Sequence, residues 1–250
     1  MATPATIQPP HVSGRASALM QVLGLSKRYG EQRALADVTF AVEAGEVLGL
    51  IGPNGAGKTS LLESIAGLIP IDSGDVVWQG TLLPFAQRRQ VIFYLPDGLR
   101  PWDDQFVSRV IAFFASVYER PESGVAAIIQ MAGLVPVMGK RVSTLSKGFG
   151  RRLMLALALI TPQPVLLMDE PFDGFDLKQT REIMAVLRAI AAGGRTLVLA
   201  IHQLLDAERV CDRFVLLSDG TVRGVGTLDD LRERTGQPRA GLEDIFLALT

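Results

Sequence analysis

Gly52-Pro53-Asn54-Gly55-Ala56-Gly57-Lys58-Thr59 decides how this chain is read. The stretch fits G-x-x-x-x-G-K-[ST], a loop that cradles nucleotide phosphates. The run before it, Val47-Leu48-Gly49-Leu50-Ile51, predicts a short buried strand, and Ser60 to Ala66 predicts a helix. The glycines let backbone N–H groups turn inward onto anionic oxygens. The new helix presents its positive end to the same oxygens. Gly52 through Thr59, with Ser60 beyond them, are therefore candidate phosphate-binding residues. Lys58 would reach the β- and γ-phosphates, and the Thr59 hydroxyl would ligate Mg²⁺. A glycine-rich turn before an ordinary helix is the plainer alternative. It is set aside because strand and helix both stand where the motif requires them.

The length of 250 residues suits one α/β domain with an insertion, or two small domains. Charge is balanced, 25 Lys+Arg against 26 Asp+Glu, so no nucleic-acid surface is expected. A single cysteine, Cys211, excludes an internal disulfide framework and suits a reducing compartment. Residues 1–18 are rich in Ala, Pro, Thr and Ser, lack an apolar signal core, and read as a disordered extension. No apolar run reaches the roughly 18 residues that span a bilayer, so the chain is expected to be soluble by itself. The mean hydropathy of +0.28 is high, which a large core or a buried partner surface would explain.

Two strand-like runs, Met20–Leu25 and Leu35–Val42, flank an apparent polar turn at Ser26-Lys27-Arg28-Tyr29-Gly30. Val76–Trp78 and Val91–Leu95 are further strand candidates, while Phe106–Tyr118 and Val125–Ala132 carry helical spacing. Leu145–Ile160 reads as a capped helix. Val165–Met168 and Thr196–Ile201 suit central parallel strands. Phe214–Leu217, Asp219-Gly220 and Thr221–Val225 spell a hairpin. Strands alternating with helices imply an α/β core, and the helix-rich middle implies an inserted helical subdomain.

Val165-Leu166-Leu167-Met168-Asp169-Glu170 is an apolar strand ending in two carboxylates. Unpaired acids at the end of a buried strand are costly without a use. With the phosphate loop, Asp169 stands where a Mg²⁺-associated carboxylate is expected, and Glu170 is placed to polarise an attacking water.

On these motifs the chain resembles the nucleotide-binding subunit of an ABC transporter, from about Gln21 to the C-terminus. Leu145-Ser146-Lys147-Gly148-Phe149 resembles the family signature, usually written L-S-G-G-Q, with Arg151-Arg152 after it. Pro171 to Asp176 resembles the segment after the second carboxylate, His202 the switch histidine, and Tyr29 the aromatic residue that stacks on adenine. Leu95-Pro96-Asp97 stands where the family has a glutamine that touches Mg²⁺ and the water. The resemblance implies a P-loop NTPase core with a mostly parallel sheet, an N-terminal antiparallel β subdomain and an inserted α-helical subdomain at about 97–156. It implies one ATPase domain over 19–250, ending in short helices at about 227–250. ATP and Mg²⁺ would be the ligands, and Thr59, Asp169 and, through water, Asp97 the metal residues. Lys58, Glu170 and His202 would be catalytic, with Ser146 and Gly148 serving the nucleotide of the opposite subunit.

The pattern departs from the family at several places. Lys147 replaces a signature glycine and Phe149 the glutamine, an S-K-G form that resembles subunits paired with exporter permeases. Asp97 is shorter than glutamine and, while ionised, cannot donate a hydrogen bond. Asp173 and Phe175 replace the usual small residue and leucine around Gly174. The segment Gly98-Leu99-Arg100-Pro101-Trp102 offers residue types favoured as interface anchors. Trp102 could equally cap the core of the helical subdomain, and Arg151 and Arg152 could form a solvated helix face. The resemblance further implies a dimer, homo- or heteromeric, bound to a separate multi-span permease at the cytoplasmic face of the membrane. The alternatives are a soluble ABC-type ATPase outside transport, or another P-loop NTPase or kinase. Repair ATPases need long coiled coils and ribosomal ones two such domains in a chain. GTPases usually select guanine with N-K-x-D, whereas Asn54 is the only asparagine here.

Overall fold

The computed structural model describes residues 18–250, so the expected extension at 1–18 lies outside the described residues but for its last position. The chain runs β1 (Met20–Tyr29), β2 (Gln32–Val42), β3 (Val47–Ile51), α1 (Lys58–Ala66), β4 (Ser73–Trp78), β5 (Thr81–Leu82), α2 (Arg88–Val91) and β6 (Ile92–Leu95). Three helices follow, α3 (Val107–Val117), α4 (Glu122–Met131) and α5 (Lys147–Ile160). Then come β7 (Val165–Asp169), α6 (Leu177–Ala192), β8 (Thr196–Ile201), α7 (Leu204–Val210), β9 (Arg213–Ser218), β10 (Thr221–Gly226), α8 (Leu228–Thr235) and α9 (Leu242–Leu249).

The strands form two sheets. The six-stranded sheet has the order β10-β9-β3-β8-β7-β6, parallel throughout except for the antiparallel edge strand β10. Every residue of β3, β7 and β8 is buried, because layers cover both faces of the sheet. Alternate residues of β7 divide between the two layers. Val165 and Leu167 pack with α1 and the antiparallel sheet, and Leu166 and Met168 pack with α5 and α6. That is why these strands read as unbroken apolar runs.

The second sheet, β2-β1-β4-β5, is antiparallel and buries Met20, Val22, Leu25, Val38 and Phe40 against the same layer as α1. The structure corrects one expectation here. Ser26 to Tyr29 continue β1, with Lys27 opposite Leu35, Arg28 opposite Arg33 and Tyr29 opposite Gln32. The turn is confined to Gly30 and Glu31. Backbone pairing across the hairpin needs no apolar side chains, so a polar hairpin tip passes for a turn in the sequence.

β6 and β7 are parallel neighbours, and α3, α4 and α5 all lie in the connection between them. This crossover returns the chain beside Asp169. Ser146 caps α5 by accepting a hydrogen bond from the Phe149 amide at 3.4 Å, so the helix begins at Lys147 and leaves Leu145 outside. No helix among the described residues is long and apolar enough to cross a membrane.

Candidate active site

The loop between β3 and α1 wraps around its own lysine. Lys58 Nζ donates to the carbonyls of Gly52 at 2.7 Å and Pro53 at 3.1 Å. Burial lowers its proton affinity, while Glu170 and Asp169 act in the opposite direction. The Ala56 amide donates to Pro53 O, closing the loop, and the Gly220 amide donates to Ala56 O, tying it to the β9–β10 turn. Gly57 precedes α1 with φ +100, and an added Cβ there would lie 2.6 Å from Ala34 O. Only glycine fits both the dihedral and the approach.

Beside this loop β7 ends in Asp169, with Glu170 directly after it. Thr59 Oγ1 donates to Asp169 Oδ2 at 2.6 Å, and Tyr94 Oη on β6 lies 3.5 Å from the same oxygen. Burial, followed by the charge of Asp169, pushes the Tyr94 phenol up, so it remains a neutral donor. Glu170 holds a left-handed backbone with φ +48, a conformation that costs a non-glycine residue roughly 1–3 kcal/mol. Its Oε2 lies 2.5 Å from His202 Nδ1 just beyond β8. An ionised carboxylate only accepts, so His202 is the donor. The Glu170 amide is anchored on Ala200 O of β8 at 3.0 Å.

Lys58, Thr59, Asp169 and Glu170 face one cleft of about 440 Å³, lined also by Tyr29, Asn54, Gly55, Gly57, Ser60 and Asp97, while His202 and Tyr94 stand behind its lining, against Glu170 and Asp169. Tyr29 is half exposed at the rim, with Lys27 Nζ 5.2 Å from its ring centroid. Asp97 borders the cleft but pairs with Arg151. Ser146 and Gly148 lie outside it, at the start of α5. Gln32, Arg33 and Ala34 also line the cleft, which the sequence reading missed. They arrive through the β1–β2 hairpin, and no local pattern marks them. Tyr94 was missed as well, although its alternate position on β6 was a usable signal.

The oxygen donors suit Mg²⁺. A threonine hydroxyl and a carboxylate oxygen lie within contact beside the phosphate loop. No cluster of three or more His, Cys, Asp or Glu able to hold a metal occurs among the described residues.

One other expectation changes. Arg151 and Arg152 are not a solvated helix face. Arg151 pairs with Asp97 and Asp173, and Arg152 with Glu182 and Ala132 O. They lie on the side of α5 turned to neighbouring loops and to α6. Trp102 is 59% exposed and meets Phe113, itself exposed, edge-on at 5.8 Å.

Comparison with known proteins agrees with this geometry. The ABC transporter family matches residues 35–173. The Nod factor export ATP-binding protein I of Ralstonia nicotianae is 35% identical over 221 residues, covering 85% of this chain and 68% of that protein. The ABC-type transporter ATP-binding protein EcsA of Bacillus subtilis is 29% identical over 240 residues, covering 93% and 97%. A solved ATP binding subunit of an ABC transporter superposes with TM-score 0.83 at 32% identity, covering 92% of this chain and 99% of that one. The family match spans more than half of the 250 residues and includes the phosphate loop and both β7 carboxylates, so the chain belongs to the ABC transporter family as an ATP-binding and ATP-hydrolysing subunit.

Proposed function

We propose that this subunit drives a separate multi-span permease, in the export direction, from the cytoplasmic face of the membrane. Two copies of an ABC subunit, identical or related, sandwich two ATP molecules head to tail. The chain is one ATPase domain over 19–250, with a helical insertion at about 97–156. The export reading rests on the S-K-G signature and on similarity to a subunit named for Nod factor export.

The Gly52–Ser60 segment and Lys58 bind the phosphates, and Tyr29 takes the adenine on its free face. Thr59 and Asp169 would hold Mg²⁺, and Asp97 would contact it through water. When bound, Mg²⁺ neutralises charge on the β- and γ-phosphates. Glu170 accepts the proton of the attacking water, and His202 orients that carboxylate and contacts the γ-phosphate. Ser146 and Gly148 present the start of α5 to the nucleotide of the partner copy.

The observation that carries the reading is the meeting of Thr59 with Asp169 at 2.6 Å and Glu170 with His202 at 2.5 Å beside the phosphate loop. Glu170→Gln tests it. The amide keeps the shape but cannot act as a base, so single-turnover hydrolysis should fall by about 10²–10⁴ while ATP binding persists. The variant should accumulate as an ATP-bound dimer in light scattering. Full activity in this variant would remove Glu170 from the role of base.

A further inference from the structure

Two departures from the family pattern, Asp97 and Asp173, meet on the Arg151 side chain, and a third, Lys147, joins them through Asp173. Arg151 Nη2 contacts Asp97 Oδ1 and lies 3.3 Å from Asp173 Oδ2, which also accepts from Lys147 Nζ at 2.9 Å. Lys147 and Arg151 are four residues apart and share one face of α5. The result is an alternating chain, acid–base–acid–base, across three segments distant in sequence. The Lys147 stem lies across Gly174, where φ is +81 and an added Cβ would come 2.5 Å from Lys147 Cε.

The segments matter because of what they carry. Asp97 follows β6 and borders the cleft. Asp173 belongs to the turn that starts at Glu170, since its amide donates to Glu170 O at 3.1 Å. That turn begins with the left-handed Glu170, a conformation that persists only when its surroundings hold it. The Arg151 side chain is 15% exposed against 41–58% for the other three, so its pairs are less screened than ordinary surface ion pairs. The Lys147 hydrogen bond, aided by the charges of Lys147 and Arg151, also lowers the Asp173 pKa.

We propose that Arg151, completed by Lys147, is a positioning residue for ATP hydrolysis. By holding Asp97 and Asp173 together, it fixes the turn that carries Glu170, and the loop beyond β6, against the start of α5. The inference rests on the assignment of Glu170 as the base, and its test includes a readout independent of that assignment.

Arg151→Met keeps the stem and removes the charge. Loss of positioning typically lowers turnover by about tenfold to 100-fold, so kcat should fall on that scale with the KM for ATP within about twofold and the melting temperature unchanged. Arg151→Lys should recover most of the loss, because the charge remains. Amide exchange of residues 97–103 and 170–176 should quicken in the Met variant, whether or not Glu170 is the base. If Arg151→Met fails to fold, Lys147→Met and Asp173→Asn, both at positions more exposed than Arg151, replace it, and their effects on kcat should be less than additive. Unchanged kcat and exchange would overturn the proposal. So would losses of kcat, KM and melting temperature together without rescue by lysine, since that is the pattern of a structural role. Slow hydrolysis in Arg151→Met beside full hydrolysis in Glu170→Gln would leave the positioning intact and reject the base.

Discussion

Lys58 sits inside the loop it serves, anchored to two of that loop's carbonyls and buried to 7% exposure. Burial weakens its hold on the proton, and an incoming polyphosphate would restore it, because a nearby opposite charge favours the ammonium. Hydrogen bonds to charged groups contribute about 1.5–3 kcal/mol each. Lys58→Ala should therefore weaken ATP binding by about tenfold to 100-fold, at 1.4 kcal/mol per tenfold. Titration with a fluorescent ATP analogue measures this, and near-normal affinity would count against the assignment of the loop lysine. Glu170 is the complementary case. Its carboxylate meets His202 and its backbone is tied to β8, an anchoring that supports its proposed role as the base.

At the scale of elements, the start of α1 depends on a residue without a side chain. Gly57→Ala would place a Cβ 2.6 Å from Ala34 O and 2.9 Å from Leu35 Cδ2, on a backbone with φ +100. A left-handed L-residue alone costs roughly 1–2 kcal/mol. Urea unfolding should show a loss of about 2 kcal/mol or more, accompanied by weaker ATP binding as the first amides of α1 shift. Wild-type stability and affinity would mean that β2 yields without consequence. The same scale explains what could be read in advance. β3, β7 and β8 were legible because burial on both faces writes itself as consecutive apolar residues. Thr59 was legible from the phosphate-loop motif, and Asp169, Glu170 and His202 because each ends or follows such a run. Residues 26–29 were not, since a polar hairpin tip carries no periodicity. The partners of Arg151 were not either, as Asp97 and Asp173 lie 54 and 22 residues away and no local spacing connects them.

At the scale of the whole molecule, the high mean hydropathy has two sources. One is the pair of apolar layers on either side of the six-stranded sheet. The other is surface, for Leu99, Trp102, Phe113 and Val117 are all exposed on the helical insertion. Leu99, Pro101, Trp102, Phe114 and Leu157 line a groove of about 440 Å³ there. Trp102 stands at its edge against Phe113, a rigid aromatic with little entropy to lose on contact. A permease segment seated in this groove would bury that ring, and the loop holding it begins next to Asp97. Trp102→Ala should then weaken co-purification with the permease by at least tenfold in retained complex, the scale of a modest interface hot spot at about 1.4 kcal/mol. ATP binding and the melting temperature should stay at wild-type values, because a ring 59% exposed supports little of the core. A large drop in melting temperature would show that Trp102 serves the insertion's own packing. Undiminished co-purification would place the permease contact elsewhere on the chain.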